Sequence, residues 1–319
     1  MFDLRDACAL VTGASGFIGA HVAYKLASAG ARVIAFRRPS ARPERSRRVE
    51  PRQTLHRLRN VQIEWRDVDL RTFGAVSRAV SDARPDVVFH LAAEGVTDPF
   101  LSPDAAIRAN VYGVIHLLRA VAGKAPVVVA RTPGERDATN VYAASKAAAW
   151  SFCRMYRRAH GWPIAGAMPF QAYGPGQPVA ALTPSAIAAA LRGEDFPMTH
   201  GEQQRDWIFV QDVADALIHV GCRLRSMATD FMLAEDAIEI GTGRTASVRE
   251  VVESIYRLAG GAGRPLVGVL PARPGEVERQ VADAERTHAL IGWCARFGLE
   301  EGLRETIQWT REWLFGPVN

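Results

Sequence analysis

The chain has 319 residues, an ordinary apolar share of 48% and a formal charge of +5, so it is a globular chain with room for one large domain or two modest ones. No apolar run approaches membrane-spanning length, so no membrane association is expected. The four cysteines (Cys8, Cys153, Cys222, Cys294) have no paired spacing, which argues against a disulfide frame or a metal site and makes each a small core residue.

Asp3, Arg5 and Asp6 interrupt the start, so no signal peptide is expected and the cytoplasm is the default location. Ala7 to Val11 reads as a short buried strand. It runs into Thr12-Gly13-Ala14-Ser15-Gly16-Phe17-Ile18-Gly19, and an amphipathic helix follows from His21 to Ala29. Strand, glycine-rich turn and helix together point to a dinucleotide. A diphosphate must touch the backbone, where a Cβ would hold it away. The first N–H groups of a helix also have no intrahelical partner. Arg32 to Phe36 is a second strand, expected parallel to the first. It ends in Arg37-Arg38, and no acid occurs before Glu44. A carboxylate there would bond free ribose hydroxyls, whereas a guanidinium grips a 2′-phosphate, so NADP(H) is favoured over NAD(H). Much of the excess charge falls between Arg37 and Arg59. That segment reads as solvated or facing a phosphorylated small ligand rather than nucleic acid.

Val61 to Trp65 is the third strand. Asp67, just past it, can accept from an adenine amino group or cap the helix beginning near Thr72. Asp86 to Leu91 is a nearly all-apolar strand, as one buried on both faces should be. It continues into Ala92-Ala93-Glu94-Gly95, small enough to lie under a nicotinamide ribose. Ser102 to Ala122 reads as a helix. Asn110 on its apolar side is set to hold a water or a main-chain group. Pro126 to Ala130 is the fifth strand. Tyr142 and Lys146 then fall one turn apart on one face of a helix from about Asn140 to His160. This is either a half-exposed helical face or a proton-transfer pair, in which the cation lowers the phenol's pKa.

Thr12 to Gly19, Asp86-Val-Val-Phe-His-Leu-Ala-Ala93 and Tyr142-x-x-x-Lys146 resemble the extended short-chain dehydrogenase/reductases. Tyr173-Gly-Pro-Gly-Gln177, Gly201 to Val213, Ile240-Gly-Thr-Gly243, Arg273-Pro-Gly-Glu276 and Leu290-Ile-Gly-Trp293 extend the likeness over the whole chain, toward the nucleotide-sugar branch. The resemblance implies a doubly wound parallel sheet from residues 1–170, rejoined at about 207–241. A smaller α/β lobe, mainly within 171–319, would bind a nucleotide-diphosphate sugar. It implies Thr132, Tyr142 and Lys146 as catalytic residues. It implies a cofactor site of Gly13, Ser15, Gly16, Phe17, Ile18, Gly19, Arg37, Arg38, Asp67, Val68, Leu91, Ala92, Ala93, Asn110, Tyr142, Lys146 and Pro169. Glu94, Gln171, Gln177, Arg205 and Arg273 fall to the substrate. The two arginines would face its pyrophosphate, with salt bridges to Asp206 or Glu276 as the plainer alternative. A homodimer through the helices at Ser102 and Tyr142 is the family habit.

The chain departs from that family after the fifth strand. It reads Ala130-Arg131-Thr132-Pro133-Gly134, with Arg131 unusual there. Pro133-Gly134 replaces the acid pair of the 4,6-dehydratases, and Glu135 matches the decarboxylase Glu only loosely. The expectation is therefore an NADPH-dependent 4-keto-sugar reductase. A 4-epimerase is the alternative, and a non-enzymatic NADP-binding module the third possibility.

Overall fold

The computed structural model describes residues 4–39, 60–96, 98, 100–226, 237–272 and 275–316. Most of the basic segment ending at Arg59, and Arg273, lie outside them. The N-terminal half alternates strand and helix: β1 (Cys8–Thr12), α1 (Phe17–Ser28), β2 (Arg32–Arg37), β3 (Ile63–Asp67), α2 (Phe73–Ala83) and β4 (Val87–His90). After these come a helical stretch from Pro103 to Val121, β5 (Val127–Ala130), α5 (Val141–His160) and β6 (Ile164–Pro169). Further on lie β7 (Gln171–Tyr173), α6 (Leu182–Arg192), β8 (Phe196–Pro197), β9 (Gln204–Arg205), β10 (Trp207–Phe209), α7 (Val210–Ser226) and β11 (Ile238–Ile240).

One seven-stranded sheet has the order β11-β6-β5-β4-β1-β2-β3. β1 pairs parallel with both β2 and β4, and the pairs β2–β3, β4–β5 and β5–β6 are parallel too. This is the doubly wound, Rossmann-type order. All residues of β1 and β4 are buried, as strands covered on both faces must be. Leu10, Ile34, Val88 and Val127 pack with Val76, Leu117, Leu118 and Trp150 into one core.

The chain divides into two compact units. The first is Met1–Met168, Ala214–Ile238 and Ala289–Trp293; the second is Pro169–Val213, Glu239–His288 and Cys294–Asn319. The second has its own core, in which Tyr173, Ile187, Trp207, Phe209, Ile255 and Leu303 pack together. It contains α8 (Val248–Ala259), started by a Ser247–Glu250 capping box, and α10 (Leu299–Phe315); α9 (Ala284–Ile291) is shared between the units.

Two expectations need correction. The helix read as continuous from Ser102 is divided: α3 (Pro103–Ala106), a π-helical turn (Ile107–Tyr112) and α4 (Gly113–Val121). Side-chain periodicity does not register a single widened turn, and such turns concentrate at functional places. Cys8, Cys153 and Cys222 are buried, but Cys294 is exposed and is not a core residue. Among the described residues, no group of His, Cys, Asp and Glu could hold a metal ion, and no helix is long and apolar enough to cross a membrane.

Candidate active site

The glycine turn is built as its sequence demands. Gly13 has φ +74, and a Cβ there would lie 2.6 Å from Ala92 N. A Cβ on Gly19 would run into the carbonyl oxygen of Gly13. Gly16 N–H donates to Gly13 O at 2.9 Å and closes the turn. Gly16 then caps α1 with no side-chain bond, and no acid occupies the first turn. The first helical N–H groups therefore stand free for an anion, with the helix dipole behind them. Ser15 and Gly16 are exposed at the tip, and Phe17 and Ile18 are partly so. Ala92 N–H donates to Thr12 Oγ1, which also bonds His90 Nδ1 at 2.8 Å, so the ends of β1 and β4 are tied together beneath the turn. His90 is fully buried, and that burial, with Lys146 adding to it, drops its pKa to about 3. It is a neutral structural bridge.

At the outer strands, Arg37 pairs with Asp67 (Nε to Oδ1, 2.6 Å) and Arg38 with Glu94 (2.9 Å). Asp67 therefore does not cap α2, whose N-cap is Thr72. Glu94, implied as a substrate residue, has its carboxylate engaged by Arg38. Val68 is buried, and its N–H donates to Arg37 O. Leu91, Ala92 and Ala93 are partly or fully exposed after β4, and Pro169 ends β6 as a buried residue.

Asn110 sits in the π turn. Its amide donates to Glu94 O (3.0 Å) and Ser145 Oγ (2.9 Å) and accepts from Glu94 N–H (2.8 Å). It thereby holds the main chain after β4 against α5. Ser145 was not anticipated from the sequence, although its place between Tyr142 and Lys146 was a signal.

Tyr142 and Lys146 occupy the first turns of α5, which Asn140 caps by accepting from Ala143 N–H. Lys146 is buried, and its Nζ donates to Ala130 O at 2.6 Å. The expected fall in the phenol's pKa is not found in this state. Burial of the phenol, reinforced by the Glu135 carboxylate, pushes Tyr142 up to about 12. Burial likewise lowers Lys146, an effect opposed by Glu135. Thr132 lies two residues past the end of β5, and its N–H donates to Glu135 Oε1.

In the second unit, Arg205 is buried. It donates to Gln204 O (2.9 Å) and Glu278 O (3.4 Å) and lies 3.7 Å from Glu276. Burial lowers its pKa, partly offset by Glu276. Of the two alternative salt bridges, the one to Glu276 is formed and the one to Asp206 is not. That carboxylate, fully buried, accepts from Thr242 N–H and hydroxyl, Gly243 N–H and Ala282 N–H. An acid inside the apolar run around Trp207 was the clue to this role. Gln171 N–H donates to Asp206 O, and its side chain is partly exposed. Gln177 donates to Ala172 O, and its buried Oε1 has no protein partner among the described residues.

The glycine cradle, the open helix N-terminus and the Tyr142–Lys146 pair together define a nicotinamide-dinucleotide enzyme of the short-chain type. The chain belongs to the NAD dependent epimerase/dehydratase family, whose pattern it matches over residues 9–234. It is 28% identical over 330 residues to a UDP-glucose 4-epimerase of Mycolicibacterium smegmatis, covering 95% of this chain and 98% of that protein. A dTDP-glucose 4,6-dehydratase of Xanthomonas campestris pv. campestris is 26% identical, with 97% and 95% covered. The solved structure of MoeE5 in complex with UDP-glucose and NAD is 30% identical with a TM-score of 0.78, covering 96% of this chain and 99% of that one.

Proposed function

We propose that the protein is an NADP(H)-dependent oxidoreductase acting at C4 of a nucleotide-diphosphate-linked sugar, with reduction of a 4-keto-(deoxy)sugar as its net reaction. The observation that carries this reading is the pair at the head of α5: the Tyr142 phenol, with the buried Lys146 ammonium one turn on and fixed to Ala130 O. A protonated phenol is the group needed to give a proton to a developing alkoxide. When bound, the nicotinamide supplies or accepts the hydride. Everything else falls to the chain. Tyr142 moves the proton at the sugar oxygen. Thr132 bonds the same oxygen. Lys146, with N–H groups to spare beyond its bond to Ala130 O, reaches the nicotinamide ribose. Gly13, Gly16 and the start of α1 take the diphosphate, and Arg37 and Arg38 the 2′-phosphate.

In this reading the first unit carries the cofactor, and the second carries the nucleotide sugar through Gln171, Gln177, Arg205 and Arg273. Arg205 suits a pyrophosphate because it is buried and its only carboxylate neighbour, among the described residues, is at 3.7 Å. A homodimer would use the helical pieces that leave Ile107, Tyr112, Phe152 and Met155 exposed.

A second reading, a 4-epimerase, is favoured by end-to-end similarity to a UDP-glucose 4-epimerase and by the NAD in a solved relative. Tyr142 would then take and return the same proton without net cofactor use. NADPH consumption against a panel of nucleotide-linked 4-keto-sugars, run beside a C4-epimerisation assay without added reductant, separates the two. Reduction with stoichiometric NADPH loss is expected. Epimerisation without it would replace the first reading by the second.

A further inference from the structure

Arg131 and Glu135 flank the short turn that distinguishes this chain after β5. Their side chains are only 14% and 2% exposed, and Arg131 Nε lies 2.8 Å from Glu135 Oε2. The second carboxylate oxygen accepts from Thr132 N–H at 3.0 Å. The guanidinium lies over the Trp150 ring, 4.5 Å from its centroid, and Arg131 N–H donates to Ala167 O. The space is shaped for this side chain. A Cβ on Gly166 would come within 2.7 Å of Arg131 Cδ and 2.8 Å of the Trp150 ring. Behind the turn, Gly134 backs directly onto Ala143 of α5. A buried ion pair is a poor device for stability, because apolar replacements of similar volume are often as stable. Its place beside Tyr142 and Lys146 gives it a different use.

We propose that Arg131 and Glu135 are positioning residues for the Tyr142–Lys146 pair, a buried ion pair that fixes the turn against the head of α5 and sets one permanent negative charge beside the phenol and the ammonium. The inference rests on the reading of Tyr142 as proton donor. Glu135 is the charged group that acts on the phenol. Lys146 is acted on by Glu135 and Cys153 in one direction and by burial and Arg131 in the other. His90 on β4 is neutral and adds no charge. The carboxylate therefore adds to burial in holding the phenol protonated and supports the charged ammonium against burial. Neither residue need touch substrate.

The test places a fluorinated tyrosine at position 142, whose phenol ionises at milder pH, and titrates it by fluorine NMR in the full chain. Glu135→Gln keeps the volume and an acceptor for Thr132 N–H but removes the charge. It should lower the phenol's apparent pKa by on the order of one unit, about tenfold in proton affinity. Arg131→Met leaves the carboxylate without its cation and should move the phenol the other way, upward, and Arg131→Lys should restore it. A titration that stays in place in folded Glu135→Gln protein overturns the proposal. If that variant does not fold, the double change Arg131→Met with Glu135→Gln removes the whole pair and carries the same readout. A shifted phenol in a chain that neither reduces nor epimerises sugar nucleotides would overturn the proposed function and leave the charge relation standing.

Discussion

The cofactor preference can be worked from the end of β2. Arg37 and Arg38 are each engaged by a carboxylate, Asp67 and Glu94. Both arginines are about half exposed, at 52% and 50%, so each pair holds by only about 0–1 kcal/mol. A guanidinium contact to a 2′-phosphate is worth roughly 1.5–3 kcal/mol. Exchanging carboxylate for phosphate at Arg37 alone therefore nets about 0.5–3 kcal/mol, a few-fold to about a hundredfold in affinity. With Arg38 contributing, NADPH should bind at least about tenfold more tightly than NADH. Arg37→Ala with Arg38→Ala should erase that difference, mainly by weakening NADPH. Asp67→Asn should do the reverse, releasing Arg37 and strengthening NADPH by up to about fivefold. Calorimetric titration of the cofactor-free protein with each nucleotide reads all three. Equal affinities in the wild type, or tighter NADH, would refute the assignment, and with it a main reason for preferring reduction to epimerisation.

Tyr142→Phe should bind cofactor normally yet lose about two or more orders of magnitude in turnover, measured in the reductase assay. With the folded phenol near 12 against 10 for a free one, the unfolded state sheds that proton first. Wild-type stability should thus fall by about 2 kcal/mol as pH rises from about 10 to about 12, and the Phe variant should fall less in urea titrations across that range. Arg205→Met should raise the KM for sugar nucleotide about tenfold to a hundredfold while NADPH affinity holds; equal losses would mean that it serves the fold. Asp206→Ala removes the acceptor of three N–H groups, that of buried Ala282 among them, and should cost about 1–3 kcal/mol, read as a drop in Tm. If the proposed homodimer forms, the wild type should sediment as a dimer and Phe152→Glu with Met155→Glu as a monomer; a monomeric wild type would overturn the homodimer, and an unchanged mass in the variant would overturn its assignment to this face.

The sheet was legible because parallel strands buried on both faces must be apolar throughout. Leu10-Val11 and Val87-Val88-Phe89 carry that mark on their own. The cradle was legible because Gly13 and Gly19 stand where no other residue fits. The Tyr142–Lys146 pair could be placed on one helical face from its spacing alone. Its electrostatics could not. The charge that acts on the phenol belongs to Glu135, which reaches α5 only because Pro133 and Gly134 fold the turn back. The carboxylate that pairs with Arg205 is Glu276, 71 positions on, and the acid next door, Asp206, is committed to main-chain N–H groups from two other segments. Spacing along a chain reports neighbours within one element, and these contacts join different ones. The widened turn around Asn110 was hidden for a related reason: one extra residue per turn leaves the apolar pattern almost intact.

The order of strands in the sheet bears on how the chain is made. β6 (Ile164–Pro169) lies between β5 and β11, yet β11 begins at Ile238, some 70 residues after Met168. At a synthesis rate of about 5–20 residues per second, one side of β6 waits roughly 4–14 s for its neighbour. During that interval Ile164-Ala165-Gly166-Ala167-Met168 is an uncharged strand edge with open N–H and C=O groups, the kind of template that recruits other chains. A nascent polypeptide of this sequence therefore carries an open strand edge midway through translation, and self-association at that stage would lower the yield of folded chain.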